Sequence, residues 1–391
     1  MIKKITVKKE AVAKLKSLFC WAYQNELATP PKDLVDGEIV EIYSGGGEFL
    51  GVGYINQKSI ISVRVLSFEK VEIDREFLKQ RLKTSIQRRQ SVKSNSNAYR
   101  LVHSEADLLS GLIVDFYNGY LAIQINTLGM EQFKEVLIEL LIELLNPKGI
   151  FDKSDAKVRK KEGLETQNGV IYGEVPEILE IQENGIVFSM SLFEGQKTGF
   201  YLDQRRNRQI VSNYITSDMS VLDVFCNAGG FGLYALKKDA KVKFVDASLG
   251  AISQVQNNLI LNNLVSTEVL QEDAFDFLTK ELESVNRYDL IVLDPPPFAK
   301  SIKEKKGAMK GMKFLLSSAI SLLNPNGLVA LYSCSHHIGV KELEIMSMEI
   351  SINTKKSLQI VEYMYADVDH PNVINVPNSA YLSGILLRIL D

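Results

Sequence analysis

The segment 221–232 constrains the fold of this chain more than any other. It reads Val-Leu-Asp-Val-Phe-Cys-Asn-Ala-Gly-Gly-Phe-Gly: an apolar strand pattern that ends at Asp223, a turn of small residues, and then the start of a helical pattern. A second strand pattern follows and ends in an acid, Asp246. A strand, a glycine turn, a helix and a strand-end acid form a βαβ unit of the nucleotide-binding kind. The segment therefore predicts parallel strands with a ligand at their carboxyl ends.

The composition of the turn limits which ligands the predicted site could bind. Glycines let the backbone approach a ligand closely, and the acid at the second strand's end can accept both ribose hydroxyls. The turn is not G-x-G-x-x-G and has no Lys-Ser/Thr pair, so it suits neither the phosphates of NAD nor those of ATP. A ligand with a ribose but no phosphate fits better, and S-adenosylmethionine is the common one. The alternative is a tight turn of an ordinary α/β protein.

The chain changes character near residue 190. Before that point β patterns dominate: strands at 5–7, 38–43, 49–55 and 60–66 with a short helix at 11–18 predict a small barrel, a basic helix is expected at 75–93, and hairpins and one helix at 130–145 follow. Beyond it, strands at 220–224, 243–246, 267–270, 290–293 and 327–333 alternate with helices and precede a last pair near 359–365 and 381–387. This alternation predicts an α/β fold with a doubly wound parallel sheet. We expect domains at 1–73, 74–188 and 189–391.

Three more candidate residues fall at predicted strand ends. Asp273 could accept a hydrogen bond from an adenine amino group or cap a helix. Asp294 begins the run Asp-Pro-Pro-Pro-Phe, whose stiff backbone could flank a planar base. Cys334 could become a thiolate that adds to carbon 6 of a pyrimidine and so makes carbon 5 nucleophilic. The plain alternative for Cys334 is a buried filler residue.

Charge and composition set further expectations. The net charge is −3, yet two segments are basic. These patches would attract a phosphate backbone, although a solvated helix face is the usual fate of such runs. Their cations are Lys79, Arg81, Lys83, Arg88, Arg89, Lys93 and Arg100 in the first, and Lys153, Lys157, Arg159, Lys160 and Lys161 in the second.

Cysteine, histidine and hydropathy patterns argue against other classes. Three scattered cysteines suit a reducing cytoplasm, and with four histidines they make a metal site unexpected. No apolar run approaches the roughly 20 residues of a membrane span, so no membrane contact is expected.

Several further motifs carry a resemblance over nearly the whole chain. They are the segment Gly195-Gln-Lys-Thr-Gly-Phe-Tyr-Leu-Asp-Gln-Arg205, then Asp294-Pro-Pro, Ser333-Cys-Ser335 and Asp369-His-Pro371. With them the chain resembles the bacterial 23S rRNA cytosine-5 methyltransferases of the RlmI type. The resemblance implies an N-terminal RNA-binding PUA barrel, a small central α+β domain and a Rossmann-like class I methyltransferase domain that uses S-adenosylmethionine.

The resemblance also implies roles for residues. Cys334 would be the nucleophile and Asp294 would position the cytosine or the cofactor. The implied cofactor site comprises Lys197, Thr198, Gly199, Phe200, Asp203, Arg205, Asp223, Phe225, Asn227, Gly229, Gly230, Asp246, Ala247, Ser248, Asn258, Asp273, Ala274, Asp294 and Pro295. The implied partner is 23S rRNA or a large-subunit precursor, and relatives of this type suggest a homodimer.

Departures from the family pattern leave alternatives open. Pro297 stands where closer relatives carry a lysine and two-cysteine enzymes a cysteine, and His336-His337 replaces Gly-Leu. His336 is therefore one candidate for the base that removes the carbon-5 proton. Methyl transfer to a guanine or adenine nitrogen would need no thiolate. An RNA-binding assembly factor with a vestigial cofactor pocket is a third hypothesis.

Overall fold

The computed structural model describes residues 2–28, 33–193, 199–265, 268–299 and 301–390. They divide into two compact units. The first comprises Met1–Ile181, Ser191–Phe200 and Val368–Ser379, and the second comprises Gln182–Met190, Tyr201–Asp367 and Ala380–Asp391. None of the helices in the described ranges is long and apolar enough to cross a membrane.

The first unit opens with a five-stranded sheet of order β1-β3-β4-β5-β2. Its short strand β2 was not predicted, and β1 pairs with β3 in parallel, which a hairpin pattern does not reveal. Aliphatic side chains of α1 and of the strands form its core, among them Leu15, Val40 and Val63. The elements are β1 Lys3–Val7, α1 Lys9–Lys16, β2 Trp21–Tyr23, β3 Ile39–Ser44, β4 Phe49–Ile55 and β5 Ile61–Ser67.

A second five-stranded sheet, ordered β10-β9-β8-β7-β6, completes this unit. Helix α2 begins at an N-cap where Asp74 accepts the backbone N–H of Phe77, and it ends five residues earlier than predicted. The elements are α2 Arg75–Arg88, β6 Ala98–His103, β7 Leu112–Tyr117, β8 Tyr120–Ile125, α3 Leu128–Glu131, α4 Lys134–Leu145, β9 Gly149–Asp152, α5 Ala156–Glu162 and β10 Gly169–Gly173.

The predicted basic patches are only partly available on the surface. Arg89 is buried against Asp107, Arg100 is paired with Asp115, and Arg159 is buried against Glu131. Further out, Lys79 is paired with Glu143. Arg88 is exposed but lies 3.5 Å from the carboxylate of Asp107. The other exposed cations of the two patches are Lys83, Lys93, Lys157, Lys160 and Lys161. Sequence could not separate the two groups, because the partner acids come from other elements.

A two-stranded hairpin, β11 Leu179–Glu183 and β12 Ile186–Met190, leads toward the second unit. That unit holds a seven-stranded sheet ordered β15-β14-β13-β16-β17-β19-β18. The elements are α6 Arg205–Ser212, β13 Ser220–Val224, α7 Gly230–Leu236, β14 Lys241–Asp246, α8 Leu249–Leu261, β15 Glu268–Gln271, α9 Ala274–Glu281, β16 Tyr288–Leu293, α10 Lys305–Leu322, β17 Leu323–Ser333, α11 Val340–Thr354, β18 Leu358–Tyr365 and β19 Ser383–Ile389.

The sheet corrects one prediction and confirms the rest of the pattern. β13 to β17 are parallel as predicted, but β19 runs antiparallel to both of its neighbours, β17 and β18, so the sheet is mixed. The direction in which successive strands are added reverses at β13: β14 and β15 lie on one side of it, and β16 and β17 lie on the other. In open α/β sheets ligands bind at the carboxyl edge of this switch point.

Candidate active site at the carboxyl edge of the seven-stranded sheet

The strand register brings the predicted acids to one level of the sheet. Val224 pairs with both Val245 and Leu293, so Asp246 and Asp294 each lie one residue beyond it on the flanking strands. On the next strand, Leu293 pairs with Leu331, which places Cys334 three residues past that level. Residues distant in sequence therefore share one edge of the sheet.

The glycine turn after β13 contains several residues whose backbone lies in the left-handed region, which is favourable mainly for glycine. Gly229 has φ +75°, and Phe225 and Asn227 before it are also left-handed, at +61° and +48°. A Cβ on Gly232 would lie 2.1 Å from Cε1 of Phe244, so α7 packs directly on β14. Non-glycine residues with positive φ are uncommon and concentrate at functional sites.

Asp246 is held by two backbone N–H groups from different loops. Asn227 donates to Oδ2 at 3.0 Å and Ser248 donates to Oδ1 at 2.9 Å. The carboxylate is half-buried, so its remaining lone pairs can accept from a ligand. Ala247 and Ser248 are exposed beside it, and Ser248 also caps α8.

Asp223 is fully buried beneath the turn, where it accepts the N–H of Gly232 at 2.8 Å. Burial is the main cause that raises its pKa to about 7; the nearby charges of Asp294 and Asp246 contribute to this shift, and the hydrogen bond from Gly232 opposes it. Three carboxyl groups thus share one edge of the sheet. This arrangement favours a positively charged ligand, because a cation would offset their mutual repulsion.

Asp273 begins α9 as an N-cap, and its Oδ1 accepts the N–H groups of Phe275 and Asp276 at 2.8 and 3.3 Å. Asp273 can both cap the helix and accept a hydrogen bond from an adenine amino group, because its side chain is exposed and its Oδ2 has no partner within the described ranges. Ala274 beside it is buried, as is Pro295 after Asp294.

Asn258, predicted as a cofactor residue, lies beneath the glycine turn. Its side chain is completely buried. It donates to the carbonyl of Ala228 at 2.9 Å and accepts the N–H of Ser189 at 2.8 Å. Asn258 therefore holds the glycine turn against β12.

Asp203 and Arg205 are likewise buried, and the structure gives them protein partners. Asp203 accepts the hydroxyl of Tyr381 at 2.7 Å, and Arg205 forms an ion pair with Asp367 at 2.8 Å. They anchor the segment before α6 to the segments that flank β18 and β19. Lys197 and Thr198 lie outside the described residues; Gly199, with φ +119°, and buried Phe200 belong to the first unit.

Gln204 is a residue that the sequence predictions missed. Its Nε2 donates to Oδ2 of Asp294 at 3.0 Å, and its Oε1 accepts from Nδ2 of Asn207 at 2.6 Å. Both amides are buried, and the bond from Asn207 fixes which end of Gln204 faces the acid. Asp294 is consequently held in one orientation. The only sequence signal was the density of polar residues around position 204.

Cys334 follows β17 directly and is half-buried, between buried Ser333 and Ser335. Ser335 donates to the carbonyl of Ala299 at 2.9 Å, which ties this loop to the one after β16. The thiol thus lies at the same edge of the sheet as Asp294. His336, weighed as a base, is exposed, with its Nδ1 3.3 Å from the carbonyl oxygen of Ala380.

Comparison with known families agrees with this architecture. The profile of a PUA-like domain matches residues 5–68, and that of an S-adenosylmethionine-dependent methyltransferase matches residues 158–388. A protein of Aeromonas salmonicida named ribosomal RNA large subunit methyltransferase I is 38% identical over 375 residues, 94% of each chain. One of the same name from Tolumonas auensis is 39% identical over 362 residues, 90% of this chain and 91% of its own.

Solved structures share the fold. A methyltransferase crystallised with SAH superimposes with a TM-score of 0.86 at 22% identity, over 99% of this chain and all of the other. An S-adenosylmethionine-dependent methyltransferase from Streptococcus mutans gives 0.84 at 22% identity, with the same coverage. Together with the mixed sheet, the glycine turn and the strand-end acids, these matches show that the chain belongs to the S-adenosylmethionine-dependent methyltransferase family and carries an N-terminal PUA-like domain.

Proposed function

We propose that the protein methylates carbon 5 of a cytosine in the 23S rRNA of the large ribosomal subunit, or in its precursor. The observation that carries this proposal is the placement of Cys334 at the same edge of the sheet as Asp246 and Asp294. The names of the relatives, which refer to ribosomal RNA of the large subunit, support the class of substrate.

The residues at this edge fit S-adenosylmethionine. Asp246 would accept the ribose hydroxyls, Asp273 would accept from the adenine amine, and the turn at Gly229 and Gly230 would face the methionine end. When bound, the cofactor supplies an electrophilic methyl group on a cationic sulfonium. The buried Asp223 and its neighbouring carboxyl groups would favour that charge.

The proposed chemistry of the chain centres on Cys334. Its thiolate forms a bond to carbon 6 of the cytosine, and the electron pair of the 5,6 double bond makes carbon 5 nucleophilic toward the methyl. After methylation a base removes the carbon-5 proton, the double bond re-forms, and the bond between carbon 6 and sulfur breaks. Asp294, oriented by Gln204, would hold the cytosine ring during these steps.

The test is nucleoside mass spectrometry of an unmodified 23S rRNA transcript after incubation with enzyme and cofactor. We expect 5-methylcytidine, and the same RNA containing 5-fluorocytosine is expected to form a denaturation-resistant adduct. Methyl groups on a guanine or adenine nitrogen, without an adduct, would support direct transfer instead. Binding of RNA without binding of cofactor would support the assembly-factor hypothesis.

Three further features belong to the same proposal. We propose a cytoplasmic homodimer that needs no metal, and domains at 1–73, 74–188 and 189–391. The described residues contain no cluster of three or more histidine, cysteine or acidic side chains that could hold a metal ion.

Cofactor affinity is expected to rise with pH because of Asp223. Its pKa of about 7 means that the carboxyl is largely protonated at pH 6 and ionised at pH 8. A cationic ligand binds the ionised form better, so the affinity should increase about tenfold from pH 6 to pH 8. Calorimetric titration of the cofactor at several pH values checks this, and Asp223→Asn should flatten the profile.

Asp223 should also affect the stability of the fold, but with the opposite pH dependence: its contribution to stability should fall as the pH rises. A carboxyl whose pKa is raised from 3.8 to about 7 on folding binds its proton more tightly in the folded state. Its contribution therefore favours folding below pH 4 and is lost as the pH rises through 7. A cofactor-free Asp223→Asn protein that loses stability between pH 5 and pH 8 as steeply as the wild type would contradict this assignment.

Gln204→Leu is expected to lower kcat about tenfold with little change in the KM for the cofactor. The substitution keeps the approximate volume but removes the bond that orients Asp294, a loss of about 1–2 kcal/mol. Gln204→Glu should lower kcat further, since a second carboxylate would face Asp294. A pH–rate profile separates this positioning role from a structural one. Loss of the hydrogen bond that Gln204 donates to Asp294 should shift the acidic limb of the profile to higher pH, whereas a packing defect should lower the rate at every pH.

A further inference from the structure

The start of α10 and the turn before it present an unusual group of lysines. Residues 301–314 contain Lys303, Lys305, Lys306, Lys310 and Lys313 and a single acid, Glu304. Lys303, Lys306 and Lys310 are exposed. Lys306 and Lys310 are four residues apart on α10 and so lie on one side of the helix, and Lys303 lies in the turn directly before it. These three lysines are called the lysine face.

The ion pairs of this helix separate two kinds of lysine. Lys305 pairs with Glu342 at 2.9 Å and Lys313 pairs with Glu349, both on α11. These two lysines attach α10 to its neighbour. The three lysines of the lysine face have no ion-pair partner among the residues that the structure describes. Their charge is therefore available to a ligand.

Aromatic rings connect the lysine face to the candidate active site. Phe225, in the glycine turn, lies edge-on to Phe298 of the Asp-Pro loop at 6.5 Å, and Phe298 lies 6.1 Å from Phe275. Phe275 stacks on Phe314 of α10 at 5.5 Å and 27°. Phe314 is 37% exposed and lies one turn beyond Lys310, so a ring borders the lysine face.

Two further details leave this surface open to a large ligand. A Cβ on Gly307, between Lys306 and Lys310, would meet no atom within 4 Å, so the helix backbone is accessible there. Pro296 and Pro297, which precede Phe298, are exposed as well. The surface thus continues from the lysines to the loop that carries Asp294.

We propose that the lysine face and Phe314 bind the single-stranded RNA that flanks the target nucleotide. Exposed cations beside an accessible ring are what a single strand requires: lysines contact successive phosphates and an aromatic side chain stacks on a base. The inference rests on the proposed function, and it adds an RNA contact within the catalytic unit to the one expected from the PUA-like domain.

The test compares Lys306→Gln/Lys310→Gln with Lys237→Gln/Lys238→Gln. The control lysines are also exposed and unpaired in the described ranges, but they follow α7 at the opposite edge of the sheet. The probe is an unmodified 23S rRNA transcript. Its affinity for the 306/310 variant should fall about tenfold, and the slope of log K against log salt should decrease by about 1.4, or 0.7 for each lost phosphate contact. The control variant should match the wild type.

A second variant addresses stacking. Phe314→Leu keeps an apolar side chain against Phe275 and is expected to raise the KM for RNA about fivefold while kcat at saturating RNA stays constant. Calorimetric titration with the cofactor shows whether each variant retains its fold.

The outcomes separate the two proposals. A wild-type protein that neither binds nor methylates the transcript would refute the proposed function itself. A wild-type protein that does both, with a 306/310 variant of unchanged affinity and salt slope, would refute only the lysine face. Normal binding of the transcript together with lost activity on ribosomal particles would also refute it, because the face would then contact a ribosomal protein.

Discussion

Replacing Cys334 by serine is expected to reduce methyl transfer roughly a thousandfold or more. A serine hydroxyl is far less acidic than a cysteine thiol, so an alkoxide at this position forms far less readily than a thiolate. Binding of S-adenosylmethionine should be unchanged, because the acids and the glycine turn that would hold it belong to other loops. The measurement is single-turnover transfer from labelled cofactor to the 23S rRNA transcript, together with cofactor affinity by calorimetry.

Cys20→Ala supplies the matched control. Cys20 is a buried cysteine of the PUA-like domain, so the variant loses a thiol in the first compact unit. It should retain the wild-type rate and the adduct with 5-fluorocytosine RNA, both of which Cys334→Ser should lose. A Cys334→Ser enzyme with full activity would rule out the covalent mechanism and favour transfer to nitrogen.

Glu183→Ala is expected to destabilise the protein by about 3–5 kcal/mol. Glu183 is buried and accepts two hydrogen bonds from Arg208, each 2.7 Å long, and a third from the hydroxyl of Tyr234 at 2.9 Å. Removing the carboxylate leaves the Arg208 guanidinium without its counter-charge in an apolar interior, which is the costly half of breaking a buried pair. Urea unfolding followed by circular dichroism measures the loss.

Two controls define this effect. Asp218→Ala breaks an ion pair with Lys241 whose side chains are 82% and 76% exposed, and it should change stability by less than about 0.5 kcal/mol. Glu183→Leu combined with Arg208→Met removes both charges and should recover much of the loss. If the single and double variants were equally unstable, the packing of this region rather than its charge would be decisive.

The Glu183–Arg208 pair also bears on the candidate site. A Cβ on Gly230 would lie 3.0 Å from Cδ of Arg208, so the buried arginine supports the glycine turn from beneath. A milder variant, Glu183→Gln, is therefore expected to weaken cofactor binding as well as stability.

Local patterns predicted the second unit well because each pattern depends on a few neighbouring residues. Strand β13 has the predicted bounds, and the other predicted strands of the sheet occur within a few residues of their expected positions. The acids Asp223, Asp246 and Asp294 lie at strand ends, where alternating strands and helices had placed them. The short β2 was missed because three residues carry no clear periodicity.

Side-chain partners were less predictable. The sequence could not show that Arg89, Arg100 and Arg159 are neutralised by acids, because ion pairs join residues from different elements. It also could not show that Lys306 and Lys310 have no ion-pair partner among the residues that the structure describes. Likewise it could not show that the buried amide of Asn258 bonds to Ala228, or that the buried amide of Gln204 bonds to Asp294, because the direction of a buried amide depends on packing.

The sequence by itself determined the family, the kind of cofactor and the sheet edge at which the candidate site was expected. These follow from glycine spacing, hydrophobic periodicity and short motifs, all of which act over a dozen residues or fewer. Only the tertiary structure decided which charges are buried in pairs, which amides orient the acids, and which lysines face solvent beside the site. Those features depend on contacts between residues far apart in the chain, and packing alone brings such residues together.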